Sequence, residues 1–446
     1  MANPFKARFI LRQHTPIIHF QHDHQGATIR PTEFKSKLDR FLIGQLTKNW
    51  GLADDRLTAL LADDTKKHWL KSREKIQENG ANKLPDHPAL DYNLNIKILA
   101  KHPNNTIAAV VSIADDFPCY FGGMGEANAQ NPKKFTFHRL VQVEVRSTNT
   151  DLIEAIRKHI PAFLMKTNFG TRQSKGFGSY YLHPESDAYP SVFPRLQYRF
   201  DLWINKQEEI AIQKELFRVI DVFYKSLRSG INFRFYLKPM IWAYLKSKET
   251  MWDKKQIKRD FYPLVLEDQI NDYGGVNPGA DTPIQWEGPN HQVIWRDIFG
   301  LSTLQKWEKG TKNGNNHFRA DLSKTPIDHK FARFKSPIHF KPIRTSRDQF
   351  TVFFEVPTAL KENLRQGDAM PESAIKGKAF KLKFSKKNTV KEYHFPSSFD
   401  YNDFFQFAFK QDLRKMGEKL EDQRNRGHYH QDFGLLLQIY NQLKVQ

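Results

Sequence analysis

The sequence predicts an α+β fold made of two similar units in tandem, with helical insertions. In residues 1–190, stretches with strand and helix patterns follow one another in the order β-α-β-β-α-β. Residues 191–446 repeat this order more weakly, as β-α-β-β-α, and a basic segment at about 229–330 interrupts them. The β-α-β-β-α-β order is that of ferredoxin-like domains, which RRM-type RNA-binding proteins also use. We therefore expect two ferredoxin-like domains, 1–190 and 191–446.

Each element of the first unit follows from a local pattern. Residues 5–11 (FKARFIL) alternate between apolar and polar side chains, which predicts a strand. Residues 31–46 place Phe34, Leu38 and Leu42 on one helical face, which predicts an amphipathic helix. The same criteria predict a second helix at 152–165 and further strands at 92–99, 106–113, 135–145 and 178–182.

The second unit begins with an alternating stretch, residues 196–204 (LQYRFDLWI), which predicts a strand. Residues 208–227 then predict a long helix. After the basic insertion, the patterns predict strands at 338–342, 349–356 and 379–384 and helices at 403–420 and 433–445.

Charge and composition restrict the function classes. The chain has 446 residues, a net charge of +20 and an isoelectric point near 9.6. This charge favours a polyanionic partner such as nucleic acid, and an acidic protein partner is the alternative. The single cysteine, Cys119, excludes an intramolecular disulfide and a cysteine-based zinc cluster. No apolar run approaches the ~20 residues of a membrane helix, and no signal-peptide pattern is present, so we expect a cytoplasmic protein. We also expect no cofactor.

The most specific pattern is residues 168–181, NFGTRQSKGFGSYY, which we call the glycine loop. It combines turn-forming glycines with donors suited to phosphate oxygens: Gly170, Gly176 and Gly178 with Arg172, Lys175 and Ser179. Because Lys175 precedes Gly176, the loop is not a nucleotide-binding P-loop. The pattern predicts a clamp for the RNA backbone, with Phe177 or Tyr180 stacking on bases. A purely structural turn is the alternative.

Two further sets of cations are candidate RNA contacts. The first lies in and just before the first helix and comprises Arg30, Lys35, Lys37 and Arg40. An ordinary solvated helix face explains it equally well, although its place after the first strand favours a position beside the glycine loop. The second lies in ARFKSPIHFKPI and comprises Arg333, Lys335 and Lys341. Here a structural Ser-Pro turn and an RNA contact are equally open.

Two groups of residues offer catalytic alternatives. His14 and His19 are a candidate acid–base pair for metal-free cleavage of RNA at its 2′-OH. Asp115 and Asp116 are candidate ligands for a Mg²⁺ ion that promotes cleavage. In both cases, loop residues without a catalytic role are the simpler explanation, and the histidine spacing matches no zinc-site pattern. We therefore expect a non-catalytic protein, with an endoribonuclease as the alternative.

Three passages resemble CRISPR-associated proteins of the RAMP superfamily. FGTRQSKGFGSYYL is similar to the glycine-rich loop of these proteins, in which a glycine and a basic stretch precede Gly-aromatic-Gly-Ser. HTPIIHFQHDHQGATIRPTEFKSKLDRFL resembles their N-terminal part, and RFKSPIHFKP resembles the Ser-Pro entry to a RAMP strand. Within the superfamily, the likeness is greatest to the first-numbered subunit of Cmr (type III-B) complexes.

The resemblance implies a non-catalytic RNA-binding subunit near the head of a type III-B ribonucleoprotein that acts in antiviral defence. Its expected partners are guide RNA, target RNA and the other subunits of the effector. By the same resemblance, the glycine-loop role falls on Gly170, Arg172, Lys175, Gly176, Gly178 and Ser179, and the basic-helix role on Lys35, Lys37 and Arg40. RAMP endoribonucleases also carry such a loop, so the loop does not separate a binding subunit from an enzyme. A third possibility is an assembly subunit whose basic surface meets an acidic neighbour.

Overall fold

The protein was analysed as a computed structural model. The structure describes residues 3–19, 27–47, 62–63, 67–71, 89–99, 107–112, 134–138, 140–186, 188–191, 193–194, 196–233, 235–250, 252–253, 256–257, 292–301, 303–309, 318–328, 336–356, 377–385, 389–419 and 432–445. These residues form a mixture of helices and antiparallel sheets, which confirms the predicted α+β class. No helix in these ranges is long and apolar enough to cross a membrane.

The described residues of the N-terminal half form eight helices and strands besides short 3-10 turns. They are β1 (Lys6–Gln13), α1 (Pro31–Thr47), β2 (Asn93–Ile98), β3 (Ile107–Ser112), β4 (Lys134–His138), β5 (Leu140–Arg146), α2 (Thr150–Lys166) and β6 (Tyr180–Leu182). Four of the strands form an antiparallel sheet in the order β2-β5-β1-β6, and β3 pairs with β4 in a separate hairpin. The strand predicted at 135–145 is therefore two strands, one in each sheet.

Helices α1 and α2 cover one face of the N-terminal sheet and form its core. Phe34 of α1 and Phe163 of α2 pack edge to face, with ring centroids 5.3 Å apart. Asn149 caps α2, because its side-chain oxygen accepts the Leu152 N–H. The glycine loop connects the end of α2 to β6, at the end of the sheet where β1 also finishes.

The described residues of the second half form one four-stranded and two three-stranded sheets. Its elements are β7 (Tyr198–Trp203), α3 (Glu209–Arg228), β8 (Ile231–Asn232), β9 (Phe235–Leu237), α4 (Met240–Ser247), β10 (Leu304–Lys309), β11 (Phe318–Pro326), β12 (His339–Arg344), β13 (Gln349–Glu355), β14 (Ala379–Phe384), β15 (Val390–His394), α5 (Tyr401–Lys410), β16 (Gly417–Lys419) and α6 (Asp432–Lys444). The sheet orders are β12-β13-β7, β10-β11-β14-β15 and β16-β9-β8.

The structure changes two expectations for this half. The described parts of the predicted insertion belong to the sheets and the core of the second half, because β11 pairs with β14 and α4 lies in the same core cluster as α3. The helix predicted at 403–420 ends at Lys410, and residues 417–419 form β16 instead. Gly417 and its neighbours pair with β9, so tertiary pairing ends the helical pattern there.

The edge of β7 is closed by a side chain of α6. The Asp201 N–H donates to Gln442 Oε1, 2.8 Å away, and Gln442 Nε2 donates to the Asp201 carbonyl, 3.2 Å away. The amide of Gln442 thus replaces one peptide group of a missing neighbouring strand. This contact satisfies backbone groups that an unpaired edge would expose.

Candidate nucleic-acid interface

The three glycines of the glycine loop are needed by its own packing. Their φ angles are +78° at Gly170, +93° at Gly176 and +66° at Gly178, in the region where side chains are strained. A Cβ atom on Gly178 would lie 1.8 Å from the Phe169 carbonyl oxygen. A Cβ atom on Gly176 would lie 2.9 Å from Pro342 Cγ. The glycines therefore allow close contacts within the protein, and one of these contacts is to the second half.

Three side chains from the N-terminal half seal the free edge of β12. Asn168 Nδ2 donates to the Phe340 carbonyl at 2.8 Å, and the Ser179 hydroxyl donates to the Pro342 carbonyl at 2.7 Å. The Arg344 N–H donates to His14 Nδ1 at 3.0 Å. Residues 340, 342 and 344 alternate along the strand, so these are the backbone groups that point away from β13. The glycine loop is thus part of the joint between the two halves.

Lys341 reinforces this joint from inside. Its side chain is fully buried, and Nζ donates to the Thr167 carbonyl, to Asn168 Oδ1 and to the Tyr180 carbonyl at 2.8, 3.2 and 2.8 Å. Burial, and then the nearby charge of Lys37, hold the pKa of Lys341 well below its usual value. Because Lys341 is buried in this way, it does not reach RNA. Of the two alternatives for this segment, a structural role and an RNA contact, the structural role applies to this residue. Arg333 and Lys335 lie outside the described residues.

Helix α1 and the glycine loop meet around Glu33. The Gly170 N–H donates to Glu33 Oε1 at 3.0 Å, and Lys37 Nζ lies 2.9 Å from the same oxygen. Lys37 also donates to the Asn168 carbonyl and to Gln173 Oε1, both at 2.7 Å. Arg30 lies 3.9 Å from Glu33 Oε2. The structure therefore brings two of the predicted helix cations to the loop, as their place in the sequence indicated.

The other two helix cations differ in position. Lys35 Nζ lies 3.0 Å from Asp39 Oδ2, donates to the Leu90 carbonyl and lies above the Tyr92 ring. Lys35 therefore faces β2 and not the glycine loop. Arg40 is partly exposed.

Within the loop, the residues predicted to touch RNA separate into exposed and buried groups. Arg172 is partly exposed and adopts a left-handed conformation with φ of +55°. Lys175 Nζ is buried and lies 2.8 Å from the centroid of the Tyr224 ring. Phe177 is fully buried and stacks on Phe217, with centroids 3.8 Å apart. The predicted stacking of a base on Phe177 is therefore wrong for this structure, because the ring belongs to the core of the second half.

Tyr180 is also excluded as a stacking residue. It is fully buried in the N-terminal core, where its ring lies 6.0 Å from that of Phe169. Burial raises the pKa of its hydroxyl well above the usual value. The backbone of the loop is held in place, as described above, by Gly170, Gly176, Gly178 and Ser179.

The two candidate catalytic histidines are buried in separate environments. His14 is 3% exposed, and burial together with the nearby charges of Arg12, Lys341 and Arg344 lowers its pKa well below the usual value. Its ring is neutral, and Nδ1 accepts a backbone hydrogen bond, so the proton is on Nε2. His19 is 6% exposed, and its Nε2 lies 3.0 Å from the Thr28 carbonyl. The acid–base pair expected as an alternative is not formed by these side chains.

The second catalytic alternative, a Mg²⁺ site formed by two carboxylates, concerns a different part of the sequence. Asp115 and Asp116 lie outside the described residues. Within the described ranges, no group of three or more His, Cys, Asp or Glu side chains is arranged to hold a metal ion.

The sequence patterns overlooked one set of cations, of which Arg8 is exposed and Lys6 and Arg12 are partly exposed. Along β1, Lys6, Arg8 and Arg12 alternate with the core residues Ala7, Phe9 and Leu11, and they lie on the sheet face opposite the helices. The signal was present in the alternation of FKARFIL itself, but we used it only to assign a strand.

Comparison with known proteins gives the family. The family model described as "Cmr1 N-terminal domain" matches residues 4–231, and the one described as "Cmr1 C-terminal domain" matches residues 236–429. The comparison with curated proteins found no match. Among solved structures, "Crystal structure of Cmr1 from Pyrococcus furiosus (apo form)" is similar at 14% identity and a TM-score of 0.30, covering 79% of this chain and 89% of that chain. The two family models together span most of the sequence, so the chain belongs to the Cmr1 family of RAMP proteins, the subunits of type III-B (Cmr) CRISPR effector complexes.

Proposed function

We propose that this protein binds guide or target RNA in a Cmr effector without cutting it. Family membership supports a place beside the other effector subunits. The net charge of +20 supports a polyanionic partner. RNA recognition of this kind relies on phosphate contacts from Arg and Lys, which hold the strand without reading its sequence.

The observation that carries this proposal is the meeting of α1 and the glycine loop around Glu33. Two segments that are more than 100 residues apart bring Arg30 and Lys37 to one junction, and Arg172 lies in the chain between Gly170 and Gln173, which both form hydrogen bonds at this junction. The side chain of Arg30 is 37% exposed although its Nε atom is buried, so part of the side chain is accessible to a phosphate. Lys37 already contacts Glu33 and Gln173. It therefore contributes mainly by holding together the two segments that carry Arg30 and Arg172.

In this proposal the glycine loop has a supporting role. Its glycines and Ser179 fix the backbone against β12, and Lys175 and Phe177 lie inside. The two partly exposed arginines, Arg30 and Arg172, are therefore held by a well-packed backbone, which reduces the entropy lost on binding.

A non-catalytic role is supported by the state of the histidines. A metal-free ribonuclease needs one imidazole as base and one protonated imidazole as acid, each within reach of the RNA. His14 is neutral and His19 is held by a backbone carbonyl, and both are buried. An endoribonuclease is the alternative that the experiment below tests.

We also propose that the chain consists of two ferredoxin-like units, 1–190 and 191–446. The order β2-β5-β1-β6 with α1 and α2 on one face supports the first. The order β12-β13-β7, with α3 after β7, supports the second. In the second unit, Gln442 of α6 stands where a fourth strand would pair with β7.

The test is a binding and cleavage measurement on the intact protein. Purified protein is incubated with 5′-labelled single-stranded repeat RNA, with Mg²⁺ or with EDTA, at several salt concentrations. We expect salt-dependent binding and intact RNA in both conditions. Arg30→Ala with Arg172→Ala should lower the affinity and reduce the slope of log K against log salt by about 1.4, because each phosphate contact on a single strand contributes about 0.7.

The matched control is Lys381→Ala with Lys383→Ala, which removes the same charge from exposed positions on β14. This variant should bind like the unmodified protein. Specific cleavage of the RNA by the unmodified protein would contradict the non-catalytic role. An unchanged salt slope in the Arg30 and Arg172 variant would contradict the proposed contact.

A further inference from the structure

The N-terminal sheet has one face covered by helices α1 and α2. Among the described residues, no helix covers the other face, which is exposed around Arg8 and Lys97 but buried farther along, at Ile10, Leu140, Gln142 and Tyr181. On β1, Ala7, Phe9 and Leu11 point into the core with α1 and α2, so Lys6 and Arg8 point to the opposite side. We call this opposite side the open face.

The neighbouring strands continue the same face. The register pairs Arg8 with Glu144, and Lys6 with Arg146, so these two β5 residues share the open face. Core residues on β5 are Val141, Val143 and Val145, which confirms the alternation. On β2, register with β5 adds Asn93, Asn95 and Lys97.

The open face is strongly basic. Among the described residues of these three strands, it carries five cations and one carboxylate: Lys6, Arg8, Arg12, Lys97, Arg146 and Glu144. The carboxylate is already engaged, because Lys6 Nζ lies 2.8 Å from Glu144 and Arg146 lies 2.5 Å from it. Hydrogen bonding from Lys6, opposed by desolvation and aided by Arg146, lowers the pKa of Glu144. Arg8 and Lys97 are exposed.

This excess of cations is not a general property of sheet faces in the molecule. The exposed side of β14 carries Lys381 and Lys383, but Glu392 of β15 stands directly opposite Lys381. Asp321 of β11 adds a second carboxylate near that strand. The charges there are balanced, whereas those of the open face are not.

The cations of β1 are spaced along the strand on one face. Lys6 and Arg12 are six residues apart, which on a strand is roughly 20 Å. Arg12 is close enough to His14 to lower the pKa of that imidazole, after the larger effect of burial. Arg8 lies at the exposed end of this face, whereas Arg12 is partly exposed and lies beside the buried residues Leu140 and Tyr181.

We infer that the open face binds the phosphate backbone of single-stranded RNA. Arg8 and Lys97 supply charge-assisted hydrogen bonds, and the exposed amides of Asn93 and Asn95 supply neutral donors to phosphate and ribose. This inference rests on the proposed function and extends it to a second stretch of the same RNA.

An acidic protein partner fits this face less well. Stable protein interfaces contain buried aromatic or aliphatic anchors at their centre. At the exposed end of the open face, the exposed side chains are all polar: Arg8, Asn93, Asn95, Lys97 and Arg146. The apolar residues Ile10, Leu140 and Tyr181 lie farther along the same face and are buried. Phe5 is exposed, but it precedes β1 and shares the alternation of Ala7, which points away from this face.

The test uses the full-length protein with Arg8→Ala and Lys97→Ala, and the control is again Lys381→Ala with Lys383→Ala. Both variants lose the same net charge from exposed strand positions, so a general charge effect would lower the RNA affinity of both equally. Binding of 5′-labelled single-stranded RNA is measured between low and moderate salt. We expect the open-face variant to bind roughly fivefold or more weakly and to show a salt slope smaller by about 1.4, with the control unchanged.

The outcomes separate this inference from the proposed function. Salt-dependent RNA binding by the unmodified protein together with an unaffected open-face variant overturns the inference and leaves the proposed function in place. No RNA binding by the unmodified protein overturns both. If the open-face variant keeps its RNA affinity but no longer co-purifies with the other effector subunits, the face is a protein interface and the inference is wrong.

Discussion

The glycine loop and the open face of the N-terminal sheet both look suited to RNA, but they use their polar groups in opposite ways. In the glycine loop, Lys175 lies over an aromatic ring, and Ser179 is bonded to the second half of the chain. On the open face, Arg8 and Lys97 are exposed. The loop has the composition of a phosphate clamp, whereas the open face has no motif at all.

The difference shows that composition and accessibility are separate properties. Glycines that permit the approach of a ligand also permit the approach of another strand, and here β12 occupies that space. Cations at alternate strand positions are spread over the sequence and are joined only by strand register. Substitutions in the loop should therefore change stability first, and substitutions on the open face should change RNA binding alone.

The largest effect on stability is expected for Gly178→Ala. The new Cβ atom would meet the Phe169 carbonyl at 1.8 Å in a left-handed conformation, so the backbone must move and the joint must open. We expect a loss of roughly 3–5 kcal/mol in the free energy of unfolding, measured by urea denaturation. The control is Gly377→Ala, which also has positive φ but no atom within 4 Å and should lose only about 1 kcal/mol. Equal losses in the two variants would show that the close packing is unimportant.

A smaller loss is expected for Lys341→Met, which keeps the length of the side chain but removes its charge and donors. The carbonyls of Thr167 and Tyr180 and the Asn168 amide oxygen would then be buried without the donor that they have now. We expect roughly 2–4 kcal/mol lower stability, measured in the same denaturation experiment. Lys383→Met on β14 serves as an exposed control and should be near neutral. A Lys341→Met protein as stable as the unmodified one would contradict the role of Lys341 in the joint.

The next effect depends on pH and comes from His14. Its folded-state pKa is lowered, mainly by burial, so the unfolded chain binds more protons than the folded protein as pH falls below the ordinary pKa of about 6.5. Stability is therefore fully present above this pH and falls below it, with a limiting slope of about 1.4 kcal/mol per pH unit from this group. In His14→Asn, the side-chain oxygen replaces Nδ1 as acceptor for the Arg344 N–H and does not titrate. The difference in stability between the two proteins should shrink as pH falls from 7.5 to 5.5, and a constant difference would contradict this account.

The smallest effect on stability is expected on the open face. Arg8→Ala with Lys97→Ala removes two exposed side chains, so the free energy of unfolding should change by less than about 0.5 kcal/mol. Thermal and urea unfolding check this directly. A loss comparable to that of Lys341→Met would mean that these cations are structural, and the weaker RNA binding expected of this variant would then have another cause.

Local patterns predicted much of the fold. The alternation of FKARFIL gave β1, the apolar faces of the predicted helices gave α1 and α2, and the α+β class followed from their order. The patterns failed where pairing between distant segments decides the outcome. β16 lies in a stretch with a helical pattern because β9 pairs with it, and β10 and β11 become part of a larger sheet through β14.

The site was predicted less well, for a physical reason. Sequence spacing correctly placed Arg30 and Lys37 near the glycine loop, since both follow the first strand. It gave no information on burial, and so Lys175, Phe177 and His14 were assigned contacts with RNA that their surroundings prevent. What fills the space beside a loop is set by the tertiary fold, here by β12, whose contacts with the loop join residues 163 and 172 positions apart in the chain.

The central claim is that RNA contacts the accessible cations of the N-terminal half, including Arg172, while the glycines and the buried side chains of the glycine loop support them. The most direct test is photocrosslinking of single-stranded RNA containing 4-thiouridine to the full-length protein, followed by identification of the crosslinked peptides. The account predicts crosslinks to peptides that contain β1, β2, the N-terminal part of α1 and Arg172. Crosslinks confined to the second half, or found only in peptides from the buried core, would contradict it.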